Sequence, residues 1–158
     1  MPSLRETCPA KVEEILRRFP QKPSAAIPLL YLAWETYGYI SEEAMIETAD
    51  ILGTTPATIQ GIATFYTMFP MNKRGKYHIE ICQNISCHLV GAQDLTKRIE
   101  NKLGIRCGEC TGDGRFSLAK AECLAGCSWG PCLHINGKEY LQLTPEKAAE
   151  ILDSLLRL

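Results

Sequence analysis

Tyr77-His78-Ile79-Glu80-Ile81-Cys82-Gln83-Asn84-Ile85-Ser86-Cys87, continuing from His88 to Gly104, is the stretch whose reading decides the fold. Tyr77 to Ile81 alternates polar and apolar residues as a short strand does, and Cys82 closes it. Asn84 and Ser86 suit a turn because their side chains bond nearby backbone. Leu89, Ala92, Leu95, Ile99 and Leu103 then fall on one helical face, with Gly104 as the stop. Cys82 and Cys87 thus occupy a strand–loop–helix junction, where backbone amides can point at sulfur. A second pair follows after 35 residues, Cys123 and Cys127 in Glu122-Cys123-Leu124-Ala125-Gly126-Cys127. The spacing is C-x4-C and then C-x3-C. Two close pairs in turn-like contexts can supply the four thiolates that hold a [2Fe–2S] cluster, one pair per iron. Trp129-Gly130-Pro131 adds a turn and an apolar wall.

Other readings compete for these residues. A free cysteine is often a small buried hydrophobe, but two close pairs in turns are hard to explain that way. Cys107-Gly108-Glu109-Cys110 joined to Cys123 and Cys127 gives a passable zinc spacing, yet it leaves Cys82 and Cys87 without a role. A Rieske centre needs two histidines in place of two cysteines. Cys132-Leu133-His134 is a fragment of that kind, and no second cysteine–histidine pair has suitable spacing. His88, beside Cys87, can bond near the site or simply start a helix.

The chain changes character near residue 70. Before it the pattern is helical. Pro9 starts a first helix carrying Val12, Ile15, Leu16 and Phe19. Ser24 is expected to cap a second, with Pro28 in its first turn and Gly38 as its stop. Ser41 caps a third that runs to Gly53, and Thr55-Pro56 starts a fourth that runs through Tyr66. Asn72-Lys73-Arg74-Gly75 reads as a linker, which sets domains at 1–72 and 73–158. The second half reads strand, cysteine loop, helix, strand (Arg115–Ala119), cysteine loop, hairpin and helix. Asn136-Gly137 is the hairpin signal, and Thr144-Pro145 starts the last helix. The class is α+β: a helical bundle followed by a small sandwich of helices on a sheet.

Composition narrows the function. Of 158 residues, 46% are hydrophobic and 22% charged, as in an ordinary globular protein. The net charge of −1 gives no field to draw the chain to nucleic acid or anionic lipid. No run of apolar residues is long enough to span a membrane, and the first residues lack the apolar segment of a signal peptide. Eight cysteines without such a signal point to a reducing compartment and to metal chemistry. Glu42 to Tyr66 resembles a helix-turn-helix. From Thr55 to Phe69, however, there is no Lys or Arg to meet phosphate, and Gln60 alone could read a base. No Gly-rich dinucleotide fingerprint and no catalytic triad stands out.

The motifs together resemble the 24 kDa-type [2Fe–2S] subunits of respiratory complex I, the E subunits of bacterial NADH–quinone oxidoreductases. Matching subunits of NAD-linked hydrogenases and formate dehydrogenases are similar. The resemblance spans nearly the whole chain. It rests on Gly61-Ile62-Ala63-Thr64-Phe65-Tyr66-Thr67-Met68-Phe69, on Ile81-Cys82 through Cys87, on Lys102-Leu103-Gly104-Ile105 and on Glu122-Cys123 through Cys127. It implies an N-terminal helical bundle and a thioredoxin-like domain with one [2Fe–2S] cluster on Cys82, Cys87, Cys123 and Cys127. It also implies an electron carrier with no catalysis of its own, in a cytoplasmic complex peripheral to the inner membrane. The implied partner is a subunit that binds NADH and FMN. Three places depart from the family pattern. Ala125-Gly126 stands where the family usually has Gly-Ala. Cys107-Gly108-Glu109-Cys110 replaces Val-Gly-Glu-Thr. Cys132 replaces an aliphatic residue.

Overall fold

Serine, threonine and glycine set half of the α-helix ends among the described residues. In the computed structural model, which describes residues 3–157, Ser41 accepts the Ala44 N–H and starts helix α4 (Glu42–Leu52). Thr55 accepts the Thr58 N–H and starts α5 (Pro56–Phe65). Gly38 and Gly53 end α3 (Ala26–Tyr37) and α4 in the left-handed conformation that costs glycine least. Helix α2 runs over Pro9–Arg17. A short α1 (Leu4–Thr7) precedes it, started by a capping box between Ser3 and Glu6. Ser24 does not cap α3. It lies inside a 3-10 turn, Lys22–Ala25, and Ala25 starts the helix with no side-chain cap. Pro23 at the front of that turn shifts the helix start past the serine.

The chain divides into two compact units, Met1–Lys73 and Arg74–Leu158. In the first, Leu29, Leu30, Ile40, Ala49 and Ile59 pack into one core. Each large apolar side chain buried there contributes about 1.5–3 kcal/mol. The Glu47 carboxylate accepts the Leu4 N–H and the Tyr37 hydroxyl and so ties α1 to α3 and α4. Burial, and then Glu47, push the Tyr37 pKa up. The exposed side of α5 carries Ala57, Thr58, Gln60, Gly61, Thr64 and Phe65 and no cation.

The second unit is a four-stranded sheet in the order β2-β1-β3-β4. Strand β1 (Tyr77–Cys82) and β2 (Phe116–Ala121) are parallel, while β3 (Leu133–Ile135) and β4 (Lys138–Tyr140) are antiparallel additions. Strand β2 reaches Ala121, two residues past the sequence expectation, because it pairs with β1 as far as Cys82. Between β1 and β2 lie α6 (Ile85–Leu89) and α7 (Ala92–Leu103), and α8 (Pro145–Leu156) follows the hairpin. Ile79, Ile81, Leu118, Leu133 and Ile135 share a core with Leu95, Ile99, Ala148 and Leu152 of α7 and α8. By alternation, His78, Glu80 and Cys82 belong to the opposite face of β1. Asn136 and Gly137 both have positive φ, as a tight hairpin turn requires. No helix among the described residues is long and apolar enough to cross a membrane.

Candidate metal centre

The end of β1 delivers Cys82 to a buried pocket. One turn later α6 brings Cys87 to the same place, and both are fully buried. A third thiol joins them from the far side. Cys132 immediately precedes β3, and its carbonyl accepts the Cys82 N–H at 3.2 Å. Its sulfur lies 3.7 Å from that of Cys87. The Cys82, Cys87 and Cys132 sulfurs are all within 4.8 Å of one another. Leu124, from the second cysteine loop, packs against this group.

The three thiols are not equivalent. Burial pushes the Cys82 thiol up, but the Asn84 and Leu124 amides and the neighbouring thiols outweigh it and hold it below the ordinary value. Burial, and then the hydrogen bond to Cys82, raise Cys87. Burial, and then Cys87, push Cys132 up to about 12. The amides of both cysteine loops therefore stabilise negative charge on Cys82, the electrostatic requirement for a thiolate ligand.

Cys123 and Cys127 sit differently. Both are exposed, on the loop that leaves β2. The Ala125 N–H points at the Cys123 sulfur at 3.4 Å. Ala125 itself has φ 60, a left-handed conformation that favours glycine. Gly126 is buried, and a side chain there would meet the Leu141 methyl at 2.9 Å and the Cys132 sulfur at 3.1 Å. The Ala-Gly order follows from these contacts: the glycine is spent on close packing against Cys132, and alanine takes the strained position. Gly130 does the same on the other side, where an added Cβ would lie 3.2 Å from the Cys87 sulfur.

The structure thus brings Cys82 and Cys87 together and places Cys123 and Cys127 on an exposed loop beside them. It adds Cys132, which the sequence presents only as a thiol at an aliphatic position and as part of an incomplete Rieske-type fragment. Its proximity comes from the antiparallel pairing of Leu133 with Ile81 across the sheet. The zinc-like set does not gather around Cys107 and Cys110. Cys107 donates its N–H to Glu100 at 3.0 Å, and burial followed by that carboxylate raises its thiol to about 11. Cys110 is exposed opposite Ser117. His88 is exposed, and no histidine joins the three sulfurs among the described residues. Soft donors, burial and amides aimed at sulfur fit an iron–sulfur centre.

Residues 12–156 match the family model described as thioredoxin-like [2Fe-2S] ferredoxin. The chain is 37% identical over 147 residues to the NADH-quinone oxidoreductase E subunit of Aquifex aeolicus, covering 93% of this chain and 92% of that one. It is 39% identical over 146 residues to the E subunit of the same enzyme from Rickettsia conorii, covering 90% and 87%. A chain of an NAD+-reducing [NiFe]-hydrogenase has the same fold, with a TM-score of 0.69 at 20% identity over 82% of this chain. The matched part is 23% of that hydrogenase chain.

Proposed function

Because the chain belongs to the thioredoxin-like [2Fe–2S] ferredoxin family, we propose that it is the one-electron carrier subunit of an NADH–quinone oxidoreductase. Its cluster is held by Cys82 and Cys87 on one side and by Cys123 and Cys127 on the other. When bound, a [2Fe–2S] cluster takes up and releases one electron at a time. The observation that carries the reading is the convergence of both cysteine loops at the end of β1. Cys82 and Cys87 come from regular elements, and the second loop lays Leu124 and its amide against them.

The residues around the site have separable tasks. The Asn84 and Leu124 amides favour the Cys82 thiolate. Leu124 and Ala92 exclude water from the sulfurs. Ile85, Leu89 and Val90 of the first loop and helix, with Trp129 of the second, leave 54–76% of their surfaces exposed. A gathering of exposed aliphatic and aromatic groups suits the core of a subunit interface. The partner we propose for it is the subunit that binds NADH and FMN, with the cluster exchanging single electrons with that flavin. Hydride transfer needs a flavin to divide two electrons into single steps, and this chain has no motif for one. Through such a complex the chain would be a cytoplasmic protein peripheral to the inner membrane. The uncharged exposed face of α5 supports protein docking over DNA binding.

The test is an anaerobic mixing experiment. NADH should reduce the isolated chain slowly or not at all. With its copurifying flavoprotein, reduction should become fast and give the EPR signal of a reduced cluster. Fast reduction of the flavin-free chain would contradict the carrier role. Copurification with a hydrogenase or formate dehydrogenase in place of a quinone reductase would assign the same role to that enzyme.

A further inference from the structure

The buried sulfurs are not the four that the family pattern selects. Cys82, Cys87 and Cys132 are each at most 1% exposed, and their sulfurs lie within 4.8 Å of one another. Two thiolates on one tetrahedral cation, with metal–sulfur bonds of about 2.3 Å, stand about 3.8 Å apart. The separation of Cys87 and Cys132 is 3.7 Å. Cys132 is also fixed in place: its carbonyl accepts the Cys82 N–H, and the bare backbone of Gly126 presses against its sulfur. No carboxylate or imidazole joins the group among the described residues.

We propose that Cys82, Cys87 and Cys132 form a second, mononuclear site for a single thiophilic cation of the zinc type. Three soft thiolates select such an ion over magnesium or calcium. The fourth position is left for water or an added thiol. Binding moves no electrons: the thiols release their protons to solvent as three metal–sulfur bonds form. The site shares Cys82 and Cys87 with the dinuclear set and differs from it by Cys132. The two occupancies therefore exclude each other, and zinc competes with cluster assembly on this chain. The single-ion site does not depend on the cluster reading.

The experiment uses the full-length chain, freed of cluster under reducing, anaerobic conditions, with Co²⁺ as the optical probe and Zn²⁺ as competitor. The wild type should bind one Co²⁺ with intense thiolate charge-transfer absorbance, displaced by Zn²⁺. The Cys123→Ala/Cys127→Ala double variant should bind it equally well while failing to hold a cluster. Cys132→Val should weaken Co²⁺ binding by about 100-fold or more, since even groups behind the ligands are worth 10–100-fold. It should still assemble the [2Fe–2S] centre, now in the presence of Zn²⁺. Cys132→Ala, which cannot overpack, should behave as Cys132→Val does. Unaltered Co²⁺ binding in both Cys132 variants would overturn the proposal, as would its loss in the double variant. Failure of the wild type to assemble a cluster would instead sink the carrier reading and leave the Co²⁺ result intact.

Discussion

The loop from Cys82 to Cys87 joins a strand to a helix, whereas the loop from Cys123 to Cys127 runs from β2 into a 3-10 turn, Cys127–Trp129. The first has its thiols buried and its backbone spent on secondary structure. The second has both thiols exposed and one residue, Ala125, in a strained conformation. A site built this way has a fixed half and an adjustable half. Strand and helix fix the positions of the first pair, both buried. The second pair rests on an irregular loop, which, if these thiols are ligands as we propose, the bound group would help to order.

Removing thiols from each half separates the two roles. Cys87→Ala and Cys127→Ala should each lower iron and sulfide per chain by about tenfold or more, because a four-thiolate shell does not survive the loss of one ligand. Their effects on the cluster-free fold should differ. Cys87→Ala removes a fully buried group, and the cluster-free chain should lose about 1 kcal/mol or more in denaturant unfolding. Cys127→Ala removes an exposed one and should change stability by less than about 0.5 kcal/mol. Full cluster content in Cys127→Ala would remove the second loop from the site.

A smaller effect is expected where the halves touch. In Gly130→Ala the new methyl lies 3.0 Å from Val90 and 3.2 Å from the Cys87 sulfur. It should lift the second loop off the first at a cost of about 1 kcal/mol, the low end for overpacking. Gly112→Ala, with nothing within 4 Å of the added carbon, is the control for the same substitution.

Ala125→Gly should act least and in the opposite direction. It relieves the left-handed alanine, worth about 1–2 kcal/mol, but frees the unfolded chain, so the net gain should be at most about 1 kcal/mol. Cluster content should not change. Thermal unfolding of the cluster-free chain reads the difference, and a loss of stability would show that the φ of Ala125 carries no strain.

The same contrast explains what was legible in the sequence. Ser41, Thr55, Thr144, Gly38, Gly53 and Gly104 mark helix ends through local chemistry, and the structure uses each of them. The strand before Cys82 and the Asn136-Gly137 hairpin were equally readable, since alternation and turn residues are local signals. Ser24 misled because a proline beside it redirected the backbone. The first turn, Leu4–Thr7, was too short for a periodic pattern. Cys132 stayed hidden for another reason. It meets Cys87 only because β3 pairs with β1 in one register, and register lies across the sheet rather than along the chain. Of the first cysteine pair, Cys82 could be placed on its strand from sequence. Cys87 and Ser86 instead lie in a separate short helix, Ile85–Leu89, which Gly91 breaks from Ala92–Leu103 and which leaves Leu89 exposed instead of on the buried face. The exposure of the second pair could not be read, because no periodic signal governs an irregular loop.

That two unlike halves hold a single one-electron centre is our proposal. It is tested most directly by assembling the cluster anaerobically on the full-length chain. Iron, sulfide and electron uptake should then be measured together in an EPR-monitored reductive titration. The expected result is one [2Fe–2S] centre per chain that is EPR-silent when oxidised and gives its signal on taking up a single electron. A zinc-free chain that takes up no sulfide with its iron, or a centre that accepts no electron, would contradict the account.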